Sequence, residues 1–283
     1  MVVKAAISVL GPLTFTTARF GVAAATLFVL IRVRDGAIRW PGRLGPRLLG
    51  LGVLGFGCYQ VLWTAGLARV TAGDSALIIA AAPVITALVA GLAGLDRLTG
   101  PKLAGALLAF AGVTIVVTAS HGVALGASLA GDALTLGAAA LWAVYTVIGA
   151  RVLRHIDPLQ ATAWAVLGGF LFLLPFGLWD VANQPPPNLT PAILAELAYS
   201  GMLAAGIASV LMFNAVRHVG PTRASAMQLL VPAGAVVLGA VFLGETVGIA
   251  EVAGGIVIVL GVVLTRRTRV IPLRLRARAG TPA

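Results

Sequence analysis

The sequence predicts an all-α integral membrane protein: ten transmembrane helices as a five-plus-five inverted repeat, the first helix truncated at its N-terminus. Three observations predict it. Hydrophobic residues make up 59% of the chain and charged residues 10%, with a mean hydropathy of +1.02, more apolar than a soluble core of this length requires. Apolar stretches of spanning length alternate with short gaps rich in helix breakers. The two halves also register on each other at a shift of 149 residues.

Crossing the hydrocarbon core takes roughly 17–25 apolar residues. Nine stretches meet that demand: Thr14–Ile31, Leu48–Ala68, Ser75–Leu95, Lys102–Ala119, Leu129–Ala150, Leu159–Trp179, Pro191–Val216, Ala224–Leu243 and Val247–Leu264. A tenth, Met1–Leu10, has about half the necessary length. The gaps carry Trp40-Pro41-Gly42, Gly73-Asp74, Gly100-Pro101, the run from Asn183 to Pro187, and Gly220-Pro221. Nothing resembles a cleavable signal peptide. The single cysteine, Cys58, excludes an intramolecular disulfide, and no metal-ligand spacing occurs, so neither metal nor cofactor is expected.

Charge orients the chain. The net charge is +11, but the basic residues cluster in gaps and are not interleaved with aromatics on one face, which argues against nucleic acid and for a lipid bilayer as partner. With Met1–Leu10 as the end of an outward helix, one side holds Arg32, Arg34, Arg39, Arg43, Arg47, Arg97, Lys102, Arg151, Arg154, Arg217, Arg223, Arg266, Arg267, Arg269, Arg274, Arg276 and Arg278. The opposite gaps hold only Arg69, while Lys4 and Arg19 lie within apolar stretches. The positive-inside rule then gives a multi-pass protein of the cell membrane with its C-terminus in the cytoplasm. The expected organisation is a first repeat over 1–119, a second over 129–265, and a basic tail over 266–283 lying along the anionic inner leaflet.

In the repeat, Gly52 falls on Gly201, Gly57 on Gly206, Val70 on Val219, Pro83 on Pro232, Asp96 on Glu245, Gly105 on Gly254 and Gly112 on Gly261; earlier, Pro12 corresponds to Pro158. Five helices per repeat is an odd number, so the second copy enters the membrane upside down. Secondary transporters recurrently use this plan, with a substrate site near the midplane between the halves. Against Pro158, the helix before Pro12 lacks some sixteen to eighteen residues.

These features, in this order and spacing, resemble the EamA-type ten-helix exporters of the drug/metabolite transporter superfamily. The residues that carry the resemblance are Lys4 in Val2-Val3-Lys4, Pro12 and Arg19, Pro83 and Asp96, Trp142 and Tyr145, and Pro232 and Glu245. The resemblance runs from Val2 to Thr265 and implies a secondary carrier, commonly an exporter of amino acids or other small metabolites, with a central cavity. The Trp-Gly start of the family's first helix is absent, and Asp96 stands where the family usually has glutamate.

Polar side chains in apolar helices are costly unless they face the bundle interior or water. Gln60 and Thr64 with Tyr59 and Trp63, then Trp142, Tyr145 and Thr146, then Ser209 and Asn214, then Ser225 and Gln228, are therefore the expected lining of a small-molecule site. Lys4 is a candidate receiver for a substrate carboxylate. Pro83 and Pro232 are expected hinges, since each removes a backbone donor and frees the carbonyl of Ile79 or Gln228. Arg19 is expected to snorkel to the outer headgroups. No carboxylate sits at mid-membrane, so proton coupling has no clear carrier; Glu196 is the least poor candidate, and uniport or exchange is equally open. The glycine pairs Gly105/Gly112 and Gly254/Gly261 admit a close neighbour, either in the same chain or in a homodimer partner. The expected function is a secondary transporter, an exporter of a small metabolite such as an amino acid, and not an enzyme. The alternatives are a membrane subunit of an ATP-driven transporter, though the chain has no nucleotide-binding loop of its own, and a lipid-modifying enzyme, though no helix pairs two acids within four residues.

Overall fold

The computed structural model describes residues 10–96, 99–121, 128–184, 189–243 and 248–266, and every regular element among them is helical. Helix α1 (Pro12–Asp35) starts with proline at its first turn and ends on Gly36, whose φ of 76° is left-handed and whose N–H returns to the Arg32 carbonyl. Helices α2 (Gly45–Gly52) and α3 (Tyr59–Leu67) are joined by a π-helical stretch, Val53–Cys58, into one rod. Then follow α4 (Ala72–Ile79), α5 (Ala82–Leu92), α6 (Gly100–His121), α7 (Leu129–Val152) and α8 (Pro158–Ala182). Helix α9 (Pro191–Tyr199) passes through a second π-helical stretch, Ser200–Ile207, into α10 (Ala208–Val219), and α11 (Pro221–Gln228), α12 (Leu230–Leu243) and α13 (Ile249–Arg266) complete the order. Side-chain caps fix several starts: Thr71, Ser128, Asp157 and Thr190 each accept a backbone N–H of the first turn.

Among the described residues, seven helical spans are long and apolar enough to cross a membrane, and Ile249–Thr265 is a shorter apolar helix. Their outward faces carry Val33, Leu92, Leu178, Leu211 and Ile249 at 60% exposure or more. A continuous belt of this kind is tolerable where lipid replaces water. The tenth expected stretch, Met1–Leu10, lies outside the described residues except for Leu10, as do Arg97, Glu245 and the tail beyond Arg266.

Two expected stretches, Ser75–Leu95 and Ala224–Leu243, are not continuous helices. The first breaks at Ala80 and Ala81, where the Ala81 N–H tightens onto the Ile78 carbonyl at 3.1 Å, and the second breaks at Leu229, whose N–H reaches Ala226 at 3.2 Å. The physical cause is the proline that follows each break, which has no N–H to return to the carbonyl four residues earlier. Pro83 thus lies in the first turn of a new helix, not in the middle of an old one.

Long-range bonds within the chain sort the connections into two ends. Helices α1 and α8 run antiparallel: Thr14 Oγ1 donates to Asp180 at 2.8 Å, Thr17 Oγ1 donates to the Leu173 carbonyl at 3.2 Å, and Arg34 pairs with Asp157 at 3.0 Å. The end that holds Arg34 also holds Gln160 bonded to Asp35, and Arg151 bonded to the Ala93 carbonyl next to the Asp96–Lys102 pair. At the opposite end, Gly131 lies against Arg69 and Val70.

The main core joins α1, α8, α7 and the first π-helical stretch through Phe20, Leu27, Phe56, Tyr145, Val166 and Leu173. A second seam joins α6 to α13. A Cβ added to Gly105 would stand 2.7 Å from the Gly261 carbonyl oxygen, and one added to Gly112 would stand 2.8 Å from that of Gly254. The two glycine faces therefore fill each other within one chain, so they carry no argument for a homodimer. Their pairing is antiparallel and reciprocal, each glycine meeting the repeat counterpart of the other.

Candidate functional site

The fold forms a cavity of about 420 Å³, open on one side, between the two halves. That is a typical volume for a small-molecule site. Its walls come from the irregular places in the helices. The first π-helical stretch presents Phe56 and leads into Tyr59 and Gln60; the second presents Ala204 and Ala205 and leads into Ser209. A π-helical turn inserts an extra residue and re-aims the side chains after it, a device frequent at functional sites. The two broken helices contribute Ile79, Ala80, Ala82 and Pro83 on one side and Gln228, Leu229, Val231 and Pro232 on the other.

The lining obeys the 149-residue register. Phe56 and Ala205, Gln60 and Ser209, Ile79 and Gln228, Ala80 and Leu229, Ala82 and Val231, and Pro83 and Pro232 are counterparts in the two halves, and all twelve face the same space. Residues outside these pairs, among them Arg19, Phe20, Tyr59 and Trp142, make the cavity chemically one-sided.

Of the residues expected from sequence, Tyr59, Gln60, Trp142, Gln228, Pro83 and Pro232 stand at the cavity wall. Trp142 Nε1 donates to Gln228 Oε1 at 3.1 Å and ties α7 to the end of α11. No other hydrogen bond among the described residues engages the Gln228 side chain, which leaves its amide nitrogen as a donor at the wall. Gln60 donates to Thr64 Oγ1 at 3.4 Å. Trp63 stands behind the wall, nearly parallel to Tyr59 with centroids 6.4 Å apart, and donates to Ser75 Oγ at 3.2 Å. Tyr145 is 1% exposed and packs between Phe56 and Phe213, so it supports Trp142 from beneath and does not line the cavity. Asn214 is exposed on α10, away from the cavity, and its carbonyl meets the His218 ring at 2.8 Å. Lys4 lies outside the described residues.

Arg19 departs from its expected role. It lines the cavity, its guanidinium carbon lies 5.1 Å from the Phe20 ring centroid, and its Nε is buried. Phe20 and Phe56 were also absent from the expected lining, although the register alone pairs Phe56 with Ala205.

The model of a family described as the EamA-like transporter family matches residues 1–118 and again 129–267. An uncharacterized transporter of Archaeoglobus fulgidus is 25% identical over 267 residues, covering 94% of this chain and 93% of that protein. A probable terminal-alkyne amino-acid exporter of Streptantibioticus cattleyicolor is 30% identical over 237 residues, covering 84% of this chain and 77% of that protein. A solved crystal structure superposes with a TM-score of 0.76 at 18% identity, covering 92% of this chain and 90% of its own.

Proposed function

Because the chain belongs to the EamA-like transporter family, we propose that it is a secondary carrier that exports a small organic metabolite, such as an amino acid, by alternating access. Its place in the family makes it a multi-pass membrane transporter and not an enzyme. The carrier reading rests on one observation: six pairs of repeat counterparts face a single cavity at the junction of the halves. In two five-helix repeats inverted in the bilayer, a site on the pseudo-two-fold axis is served by two equivalent gates, and closing one while opening the other exposes the same pocket to either side. The antiparallel, reciprocal contact of α6 with α13 supports that inversion. The breaks ahead of Pro83 and Pro232 lie in the cavity wall and are the proposed hinges. Amino acids lead the candidate substrates, in line with the exporter among the relatives. The arginine-rich end of the bundle, with Arg34, Arg151 and Lys102, is the proposed cytoplasmic face in the cell membrane, and the C-terminus belongs to it.

Counterflow in liposomes free of ATP tests the reading. Protein purified alone and loaded with an unlabelled amino-acid panel is expected to accumulate a labelled member of the panel transiently. Uptake that appears only when a nucleotide-hydrolysing subunit and ATP are added would assign the chain to an ATP-driven assembly instead.

A further inference from the structure

We propose that Arg19 is the anion-recognition residue of the cavity, and that the transported solute carries a carboxylate on an apolar body. This rests on the carrier reading above and names the class of its substrate. Among the described lining residues Arg19 is the one with a charge, and no described carboxylate lines the same space. Its Nε is buried and has no hydrogen-bond partner among the described residues. The two buried acids among the described residues, Asp180 and Asp74, have other partners. Asp180 accepts from the Thr14 N–H and Oγ1 at the start of α1, and Asp74 accepts from Thr71 Oγ1 at the start of α4.

A snorkelling arginine would place its guanidinium among headgroups and water, and would bury only its stem. Here the guanidinium lies against the Phe20 ring, which holds its plane by cation–π attraction and leaves edge donors for a ligand. Arg19 is the eighth residue of α1, so it sits about 10 Å along the helix from its outer end. A cation in a low-dielectric wall without a counter-ion is costly, and such residues mark ligand pathways when they occur. A bound carboxylate removes the cost by two parallel N–H donations from the planar fork. Arg19 is the one cation of the described lining, and a single positive charge is matched by a carboxylate sooner than by a doubly ionised phosphate. The rest of the wall, with Phe56, Ile79, Trp142 and Leu229, suits an apolar or aromatic body.

The test compares two probes of the same shape, 3-phenylpropionate and its neutral amide, on the full chain in detergent. Trp142 at the wall provides a fluorescence readout of binding. The native protein is expected to bind the carboxylate more tightly than the amide. Arg19→Gln is expected to weaken the carboxylate about ten- to a hundred-fold while the amide stays within about two-fold. Arg19→Lys keeps the charge but not the fork, and falls between. If Arg19→Gln does not fold, the carboxylate-to-amide ratio of Arg19→Lys decides. An unchanged ratio, or a native protein that does not prefer the carboxylate, overturns the proposal. Selective carboxylate binding without counterflow in liposomes would instead sink the carrier reading and leave the assignment of Arg19 standing.

Discussion

At the scale of single residues, the polar groups of the cavity differ in how they are held: Trp142 and Gln228 bond each other within the wall, Gln60 bonds Thr64 behind it, and Arg19 Nε has no partner among the described residues. Trp142 is the clearest case, because its indole N–H is spent on Gln228 and its ring is set by Tyr145 beneath. Trp142→Phe keeps an aromatic ring and removes the donor. A single neutral hydrogen bond contributes about 0.5–1.5 kcal/mol, so this change is expected to lower the apparent affinity for the transported solute by about two- to ten-fold. Trp142→Ala also removes the wall and is expected to cost more. Concentration dependence of counterflow measures both, and equal behaviour of the two variants would mean that the ring does not contribute. Tyr145 provides the contrast. Tyr145→Phe loses no hydrogen bond among the described residues and keeps the stack with Phe213, so transport is expected to stay near the native level.

At the scale of elements, most boundaries are legible in the sequence because they have local causes. Pro12, Pro158, Pro191 and Pro221 open helices in their first turns, and Thr71, Ser128, Asp157 and Thr190 cap α4, α7, α8 and α9. The π-helical stretches were not legible, since Val53–Cys58 and Ser200–Ile207 are glycine-containing apolar runs that satisfy a 3.6-residue period as well as a wider one. Helical spacing likewise placed Tyr145 and Asn214 near the right stripe but not on the right face, because the rotation of a helix against its neighbours is set by packing that spacing does not encode. Arg19 was misjudged for a different reason: a long cationic side chain near a helix end has two outlets, and only the tertiary arrangement selects one. Two elements invite tests. Pro83→Ala restores the N–H that Ile79 lacks and lets α4 run on into α5; binding is expected to persist while the transport rate falls, and an unchanged rate would remove the break from the hinge. In the α6–α13 seam, Gly112→Leu drives a side chain into the Gly254 backbone, and overpacking of this kind costs about 1–3 kcal/mol. A lower thermal midpoint in detergent is expected, whereas Gly50→Leu, whose added Cβ would meet nothing within 4 Å, should leave the midpoint close to native.

At the scale of the whole molecule, the argument concerns which end of each helix faces which side of the membrane. The bonded ends of the bundle already alternate: Arg34, Ala93, Arg151 and Asp157 gather at one end, and Thr14, Arg69, Gly131 and Asp180 belong to the other. Inversion makes a sharper statement, because positions that correspond in the two repeats must emerge on opposite sides. Arg69 and His218 are such a pair at the 149-residue shift, and both are exposed. The chain has one cysteine, Cys58, so Cys58→Ser gives a clean background for single cysteines at Arg69 and His218. In intact cells a membrane-impermeant maleimide is expected to label the cysteine at 69 and to reach the one at 218 only after permeabilisation. Labelling of both from the same side would place the two repeats parallel, and a cavity shared by their corresponding residues could then no longer open alternately to the two faces.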